Sequence, residues 1–271
     1  MGISEQNNNL DELDFSAFKR KVKMFCGIDL EAYKRPQMER RIRANMDKCG
    51  ARSFTDYFSS MQKNSQLMDE FIDRVTINVS EAFRNPEQFD VLRNKVLPEL
   101  LSKFGNLTIW SAGCSCGAET YTLAILLDEI SPKGRHSILG SDIDDRMLAR
   151  SSKGIYYPHE MRAVTKERAQ KYFDILPDGS YQVKSFLKKN ITFKKHDMLT
   201  DRFPGRNALI VCRNVVIYFT DETKRILYTN FYNSLLPGGF LFVGGTERIA
   251  NHDSIGFENK IPFFYRKPQG N

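Results

Sequence analysis

No stretch of the chain approaches the roughly 18 consecutive apolar residues that a membrane-spanning helix needs. The opening residues Met1–Leu10 are polar and rich in asparagine, so the basic and then apolar layout of a secretory signal is missing. Gly2 stands where a myristoylation site would, but Gln6 occupies the position that signal reserves for serine or threonine. A cytoplasmic protein without membrane insertion is expected. Cysteine is sparse. Cys26, Cys49, Cys114, Cys116 and Cys212 are odd in number, which argues against a disulfide framework. Cys114 and Cys116 are separated by one residue, whereas zinc sites want about two to four between cysteines and a second pair elsewhere. They read as small residues in a tight turn, and no metal is expected. His136, His159, His196 and His252 are scattered, and none is expected to be catalytic. Neither Gly-x-Gly-x-x-Gly nor a glycine loop closed by Gly-Lys-Ser/Thr occurs, which disfavours P-loop phosphate binding.

What remains is an ordinary globular composition: 271 residues, 41% hydrophobic and 27% charged. That length allows one large domain, or a large one plus a small one. The formal net charge of +7 points to an acidic partner without choosing among nucleic acid, membrane and acidic protein. Up to about residue 77 the patterning is helical throughout. Phe15, Phe18, Val22 and Phe25 fit one helical face. Met38, Ile42, Met46 and Cys49 fit a second helix, opened by Pro36 and stopped by Gly50. Arg40, Arg41 and Arg43 fall off that stripe and are expected to face solvent or a partner. Ser53 and Asp56 have capping-box spacing, and Ser65 is expected to cap a last helix carrying Leu67, Phe71, Ile72 and Val75.

After Thr76 the pattern changes. A long helix is expected from Asn85-Pro86 to Phe104, closed by Gly105. Strands at Leu107–Trp110, Ser137–Ser141, Ile191–Phe193, Ala208–Cys212, Phe240–Val243 and Phe263–Tyr265 then alternate with helices, the last of them over Asp221–Leu236. Such alternation predicts a doubly wound, Rossmann-like α/β domain with a mostly parallel sheet. A small β-hairpin insertion is expected at about residues 173–185, around Pro177-Asp178-Gly179-Ser180. The division expected is a helical domain over residues 1–77 and an α/β domain over 78–271.

The segment Trp110–Glu119 follows the first strand and opens a helix. Gly113 and Gly117 let the chain turn sharply and let a ligand approach bare backbone. A nucleotide-like ligand belongs at such a junction, outside the carboxyl ends of the strands. The second strand ends in Gly140-Ser141-Asp142, where a carboxylate can accept both ribose hydroxyls. These features favour a nucleoside cofactor but do not separate S-adenosylmethionine from a nicotinamide dinucleotide.

Four segments together carry a resemblance. Residues 76–84 (Thr-Ile-Asn-Val-Ser-Glu-Ala-Phe-Arg), 110–121 (Trp-Ser-Ala-Gly-Cys-Ser-Cys-Gly-Ala-Glu-Thr-Tyr), 141–144 (Ser-Asp-Ile-Asp) and 212–219 (Cys-Arg-Asn-Val-Val-Ile-Tyr-Phe) are similar, in order, to the motifs of the CheR-type chemotaxis receptor methyltransferases. The resemblance implies an S-adenosylmethionine-dependent protein-glutamate O-methyltransferase. It implies glutamyl methyl esters on the cytoplasmic helices of chemoreceptors, with S-adenosylhomocysteine as the other product. By the same match, cofactor contacts fall on Asn78, Ser80, Arg84, Gly113, Glu119, Asp142, Asp197, Met198, Arg213 and Asn214. Arg84 and Tyr218 fall beside the transferred methyl. Where the family shows Gly-Glu-Glu-Pro-Tyr, this chain has Gly117-Ala-Glu-Thr-Tyr121, which keeps Glu119. The hairpin, which in some members holds a receptor's C-terminal peptide with arginines, has no arginine here, so that tether is not expected. The basic helix face Arg40, Arg41 and Arg43 is a candidate receptor-docking surface, and a monomer is expected.

A glutamate carboxylate is already ionised at neutral pH, so such a transfer needs positioning and water exclusion, not a general base. The competing reading is a methyltransferase acting on nucleic acid or another acidic substrate, which the positive charge would suit. Neither the Asn/Asp-Pro-Pro-Tyr/Phe string of amino-directed enzymes nor the Pro-Cys of cytosine-C5 enzymes occurs, and nucleic acid is not the expected partner.

Overall fold

The computed structural model describes residues 2–76 and 80–270, with side chains from residue 10 onward. By its internal contacts the chain divides into two units. One comprises Met1–Ile77 with Tyr218–Lys224, and the other Asn78–Ile217 with Arg225–Asn271.

The first unit is helical: α1 (Gly2–Cys26), α2 (Arg35–Cys49), α3 (Phe54–Lys63) and α4 (Ser65–Thr76). Phe15, Phe18 and Val22 of α1 are buried, while Phe25, expected on the same face, is half exposed. The core is aromatic. Phe15 and Phe54 lie 4.7 Å apart, and Phe18 meets Phe71 edge-on at 5.9 Å. Edge-to-face rings add roughly 0.5–1.5 kcal/mol per pair beyond the burial of their area. Ser53 caps α3 by accepting from the Asp56 N–H, and Asp14 takes the Phe54 and Thr55 N–H groups. The cap of α4 is Asn64 rather than Ser65: the Asn64 carboxamide oxygen accepts from the Gln66 and Leu67 N–H groups. Ser65 is already the first helical residue, so the sequence reading was one position late.

The second unit opens with α5 (Pro86–Val91), which runs through one wide turn at Leu92–Val96 into α6 (Leu97–Phe104). Pro98 has no N–H to offer the preceding turn, and the wide turn absorbs that gap in an otherwise continuous helix. Next come β1 (Thr108–Ala112), α7 (Ala118–Ile130), β2 (Ser137–Asp142) and α8 (Asp145–Lys153). A small three-stranded sheet follows, made of β3 (Ile155–Tyr156), then, after α9 (Lys166–Tyr172), β4 (Phe173–Ile175) and β5 (Tyr181–Val183). The expected hairpin is therefore backed by a third strand that the sequence did not suggest. The chain continues through α10 (Ser185–Lys188), β6 (Ile191–Lys195), β7 (Asn207–Cys212), α11 (Asp221–Ser234), β8 (Leu235–Val243), α12 (His252–Ile255), β9 (Glu258–Ile261) and β10 (Phe264–Arg266).

The main sheet has the order β6-β2-β1-β7-β8-β10-β9, parallel from β6 to β8, with β10 antiparallel to β8 and to β9. All six residues of β7 are buried, as a central parallel strand covered on both faces requires. The α11 helix stops at Ser234, two residues earlier than expected, because Leu235–Gly239 already belong to β8. From β1 the order runs to β2 and β6 on one side, and to β7 and β8 on the other. The carboxyl ends of β1 and β7 therefore flank the switch point, where ligands enter such sheets.

Candidate active site

Four loops meet at that end of the sheet, and their backbone is unusual. Seven non-glycine residues among those described have a left-handed backbone, and four lie here: Phe83, Asn85, Ser115 and Asn214. Each such residue costs roughly 1–2 kcal/mol and persists only where its surroundings impose it. Phe83 (φ 57°) and Asn85 (φ 60°) flank Arg84. The Phe83 N–H donates to the Thr122 hydroxyl at 3.1 Å, and the Phe83 ring carries the Arg168 guanidinium 4.2 Å from its centroid. Arg168 is held in turn by Glu129 through two bonds of 2.8 and 2.9 Å.

The turn after β1 is pinned to the end of β2. The N–H groups of Gly113 and Cys114 both donate to the Ser141 carbonyl, at 2.8 and 2.9 Å. The Ser115 N–H donates to one oxygen of Asp142 at 2.7 Å, and the Asp144 N–H to the other at 3.0 Å. Asp142 is almost fully buried. Burial pushes its carboxyl above the usual range, and the backbone N–H groups of Asp144, Ser115 and Ile143 oppose that rise. Each oxygen takes one of these bonds and keeps a further lone pair, which suits a pair of ribose hydroxyls. The helix cap beside it is Asp144, which accepts from the Arg146 N–H, so capping is not the task of Asp142.

Gly113 is required twice over. Its φ is +71°, and a Cβ there would lie 2.7 Å from Val215 Cγ2. Gly113→Ala is expected to cost about 2–5 kcal/mol, summed from left-handed strain and overpacking. Adding Val215→Ala should recover the packing part but not the strain. Melting temperatures of the two variants check this, and a native-like melting point for Gly113→Ala would refute it.

Glu119 and Arg213 form the floor. Glu119 Oε1 accepts from the Ser111 hydroxyl at 3.1 Å, and Oε2 lies 3.3 Å from Arg213 Nη1. Burial raises the Glu119 carboxyl, and the charge of Arg213 resists this. Arg213 is buried and mostly committed to protein. Its Nη2 donates to the Arg84 carbonyl at 2.9 Å, to Gln88 Oε1 at 2.9 Å and to Asn85 Oδ1 at 3.3 Å. The rings of Phe89 and Phe242 both face it, their centroids 4.9 and 4.8 Å from the guanidinium carbon. Only its Nε lacks a hydrogen-bond partner. The residue read from sequence as a cofactor contact is thus also the clasp that ties the Arg84 segment to the end of β7.

Other expected residues are placed less simply. Ser80 is half-buried, with its hydroxyl toward the Cys116 thiol. The Asp197 carboxylate serves its own turn, accepting from the Leu199 N–H at 2.8 Å and the Thr200 hydroxyl at 3.1 Å, and Met198 is half-buried beside it. Asn214 is half-buried with φ 60°. Asn78 lies outside the described residues. Tyr218 belongs to the helical unit, where the Arg41 guanidinium sits 5.0 Å from its ring centre and its carbonyl accepts from the Lys34 N–H. Burial pushes the thiols of Cys114, Cys116 and Cys212 upward, away from reactivity. Among the described residues no cluster of three metal-ligating side chains occurs.

The basic helix face is not the free patch that its sequence suggested. Arg43 is paired with Glu39 and Asp11 and lies over Phe54. Arg41 is half-buried over Tyr218, and Arg40 alone of the three is exposed. Nor does the net charge reside there. The helical unit has 14 basic and 14 acidic residues, and the second unit 26 basic and 19 acidic, so the whole excess of +7 belongs to the α/β unit. No helix among the described residues is long and apolar enough to cross a membrane.

Residues 78–260 match the family described as CheR methyltransferase, SAM binding domain, and residues 13–76 match the CheR methyltransferase, all-alpha domain. A chemotaxis protein methyltransferase of Listeria innocua is 40% identical over 257 residues, spanning 94% of this chain and 98% of its own. One from Borreliella burgdorferi is 34% identical, spanning 96% of each chain. Chemotaxis protein methyltransferase 1 of Pseudomonas aeruginosa is 32% identical, spanning 88% of this chain and 91% of its own. Residues 78–260, which include the cradle at the β1–β7 switch point, are thus a domain of the S-adenosylmethionine-binding kind, and the chain belongs to the CheR methyltransferases.

Proposed function

We infer that this enzyme methylates glutamate side-chain carboxylates on the cytoplasmic helices of chemoreceptors. The observation that carries the reading is the match, across nearly the full length of both chains, to relatives named chemotaxis protein methyltransferases. The uneven charge supports it, because an α/β unit of net charge +7 attracts an acidic helix. In this reading Asp142 takes the ribose hydroxyls, and Glu119 and Asn214 line the rest of the cofactor cradle with Ser80 and Gly113. Asp197 and Met198 contribute from the loop after β6, with the Asp197 side chain shaping its turn.

When bound, the cofactor supplies an electrophilic methyl group. The protein's own work is placement. A glutamate side chain titrates near pH 4.3, about three units below neutrality, so no residue need remove a proton. Arg84 offers a planar fork that grips a carboxylate through two parallel bonds. The Arg213 clasp and the Phe83–Arg168–Glu129 stack fix the backbone from which Arg84 projects. Tyr218, the other residue that the resemblance sets beside the transferred methyl, belongs to the helical unit. Arg40 is the residue of the α2 face left for receptor docking.

The test offers tritiated S-adenosylmethionine together with receptor-containing membranes, DNA and RNA in parallel. Base-labile label on membrane protein, released as methanol, is the expected result. Label on nucleic acid, or base-stable label on protein, would overturn the reading.

A further inference from the structure

We propose that Glu247 is a positioning residue for cofactor binding, its carboxylate holding the turn after β7 in the shape that presents Asn214. The inference rests on the reading of Asn214 as a cofactor contact.

Glu247 follows the end of β8 through Gly244-Gly245-Thr246, beside the end of β7. It is 3% exposed. One carboxylate oxygen accepts from the N–H groups of Asn214 and Gly244 at 2.6 and 2.7 Å, and the other from Val215 and Val216 at 2.9 and 3.0 Å. Three successive N–H groups of the post-β7 turn thus converge on one anion. Chains adopt this nest when a left-handed residue alternates with right-handed ones. Here the left-handed residue is Asn214, which pays for that conformation without being glycine. A buried carboxylate with four donors is what over-determines it.

Gly244 belongs to the same arrangement. A Cβ there would lie 2.6 Å from Glu247 Oε2 and 3.0 Å from the Asn214 nitrogen. The clamp therefore closes against bare backbone. Among the described residues Glu247 forms no ion pair with a basic side chain, so backbone dipoles alone compensate its charge. A purely structural link between two strand ends would be made more cheaply by a neutral side chain. Burial pushes the carboxyl upward and the four N–H groups oppose it.

Glu247→Gln keeps the shape but turns an NH2 group toward two N–H donors. Native chain, E247Q, N214A and the double variant are compared at a temperature where circular dichroism shows each folded. E247D, which keeps the charge and loses reach, substitutes if E247Q does not fold. S-Adenosylhomocysteine affinity is read by calorimetry, and KM and kcat by methyl transfer. E247Q is expected to weaken S-adenosylhomocysteine about tenfold and to raise the KM for S-adenosylmethionine more than it lowers kcat. In the N214A background the same change should have almost no further effect. Native affinity in E247Q overturns the inference whatever its melting temperature, as does an equal loss in both backgrounds. Native affinity in N214A overturns instead the reading of Asn214 on which the inference rests, and is read independently of E247Q.

Discussion

Replacing Arg84 with alanine is expected to lower kcat for methyl transfer by about a thousandfold, the scale at which loss of a positioned charged group acts. S-Adenosylhomocysteine affinity should change far less. The prediction follows from what holds the segment. The backbone around Arg84 is fixed by groups other than its own side chain: the Thr122 hydroxyl on the Phe83 N–H, Arg213 on the Arg84 carbonyl, and Arg168 over the Phe83 ring. Truncation should therefore leave the left-handed residues on either side in place. Arg84→Lys separates charge from geometry. Lysine keeps the charge but not the planar fork, so most of the loss should remain. Single-turnover kinetics with pre-bound cofactor are the direct measurement. A large loss of cofactor affinity in Arg84→Ala would move Arg84 to the cofactor side of the site, and full activity would remove it from the mechanism.

The elements that build this site differ in how far the sequence announced them. The glycine turn and Asp142 were legible because their signals are local: a strand, two glycines, a helix, then an acid at the end of the next strand. Glu247 was not. Three of its four donors are 31 to 33 residues away, and only the sheet order, which sets β8 beside β7, brings the carboxylate under the Asn214 turn. The usable signal was a buried acid following a Gly-Gly pair at a strand end, and it gains meaning only once the neighbouring strand is known. Arg213 shows the same limit. Its motif marked it for the site, but its partners Gln88 and Asn85 come from a helix start more than 120 residues earlier. The arginines of α2 failed for the opposite reason. Periodicity placed them off the apolar stripe, as observed, but off the stripe does not mean free, since Asp11, Glu39 and two aromatic rings meet two of the three. β9 and β3 were missed because strands this short and half-exposed have no run long enough to show alternation.

Asp142→Asn should raise the dissociation constant of S-adenosylhomocysteine by about a hundredfold, which is about 2.7 kcal/mol. The native carboxylate accepts from two backbone N–H groups on opposite sides, Ser115 and Asp144. A carboxamide can accept on only one side. Whichever way it turns, its NH2 faces an N–H donor, and leaving a buried donor unsatisfied costs roughly 1–3 kcal/mol before any ligand is considered. On the Ser115 side the loss loosens the turn containing Gly113, and on the Asp144 side it loosens the start of α8. With either orientation one hydroxyl acceptor also disappears. The same logic gives a pH dependence in the native enzyme. The ionised form of Asp142 accepts all these bonds, and the protonated form gives up one acceptor. Because burial raises its carboxyl, cofactor affinity should fall on acidification through a range displaced above the ordinary aspartate value of about 3.9. Glu119 is raised for the same reason, so the two must be told apart. Calorimetric titrations across pH do this. The limb missing from Asp142→Asn but present in the native chain belongs to Asp142, and an unchanged profile in the variant would show that Asp142 does not meet the cofactor as an anion.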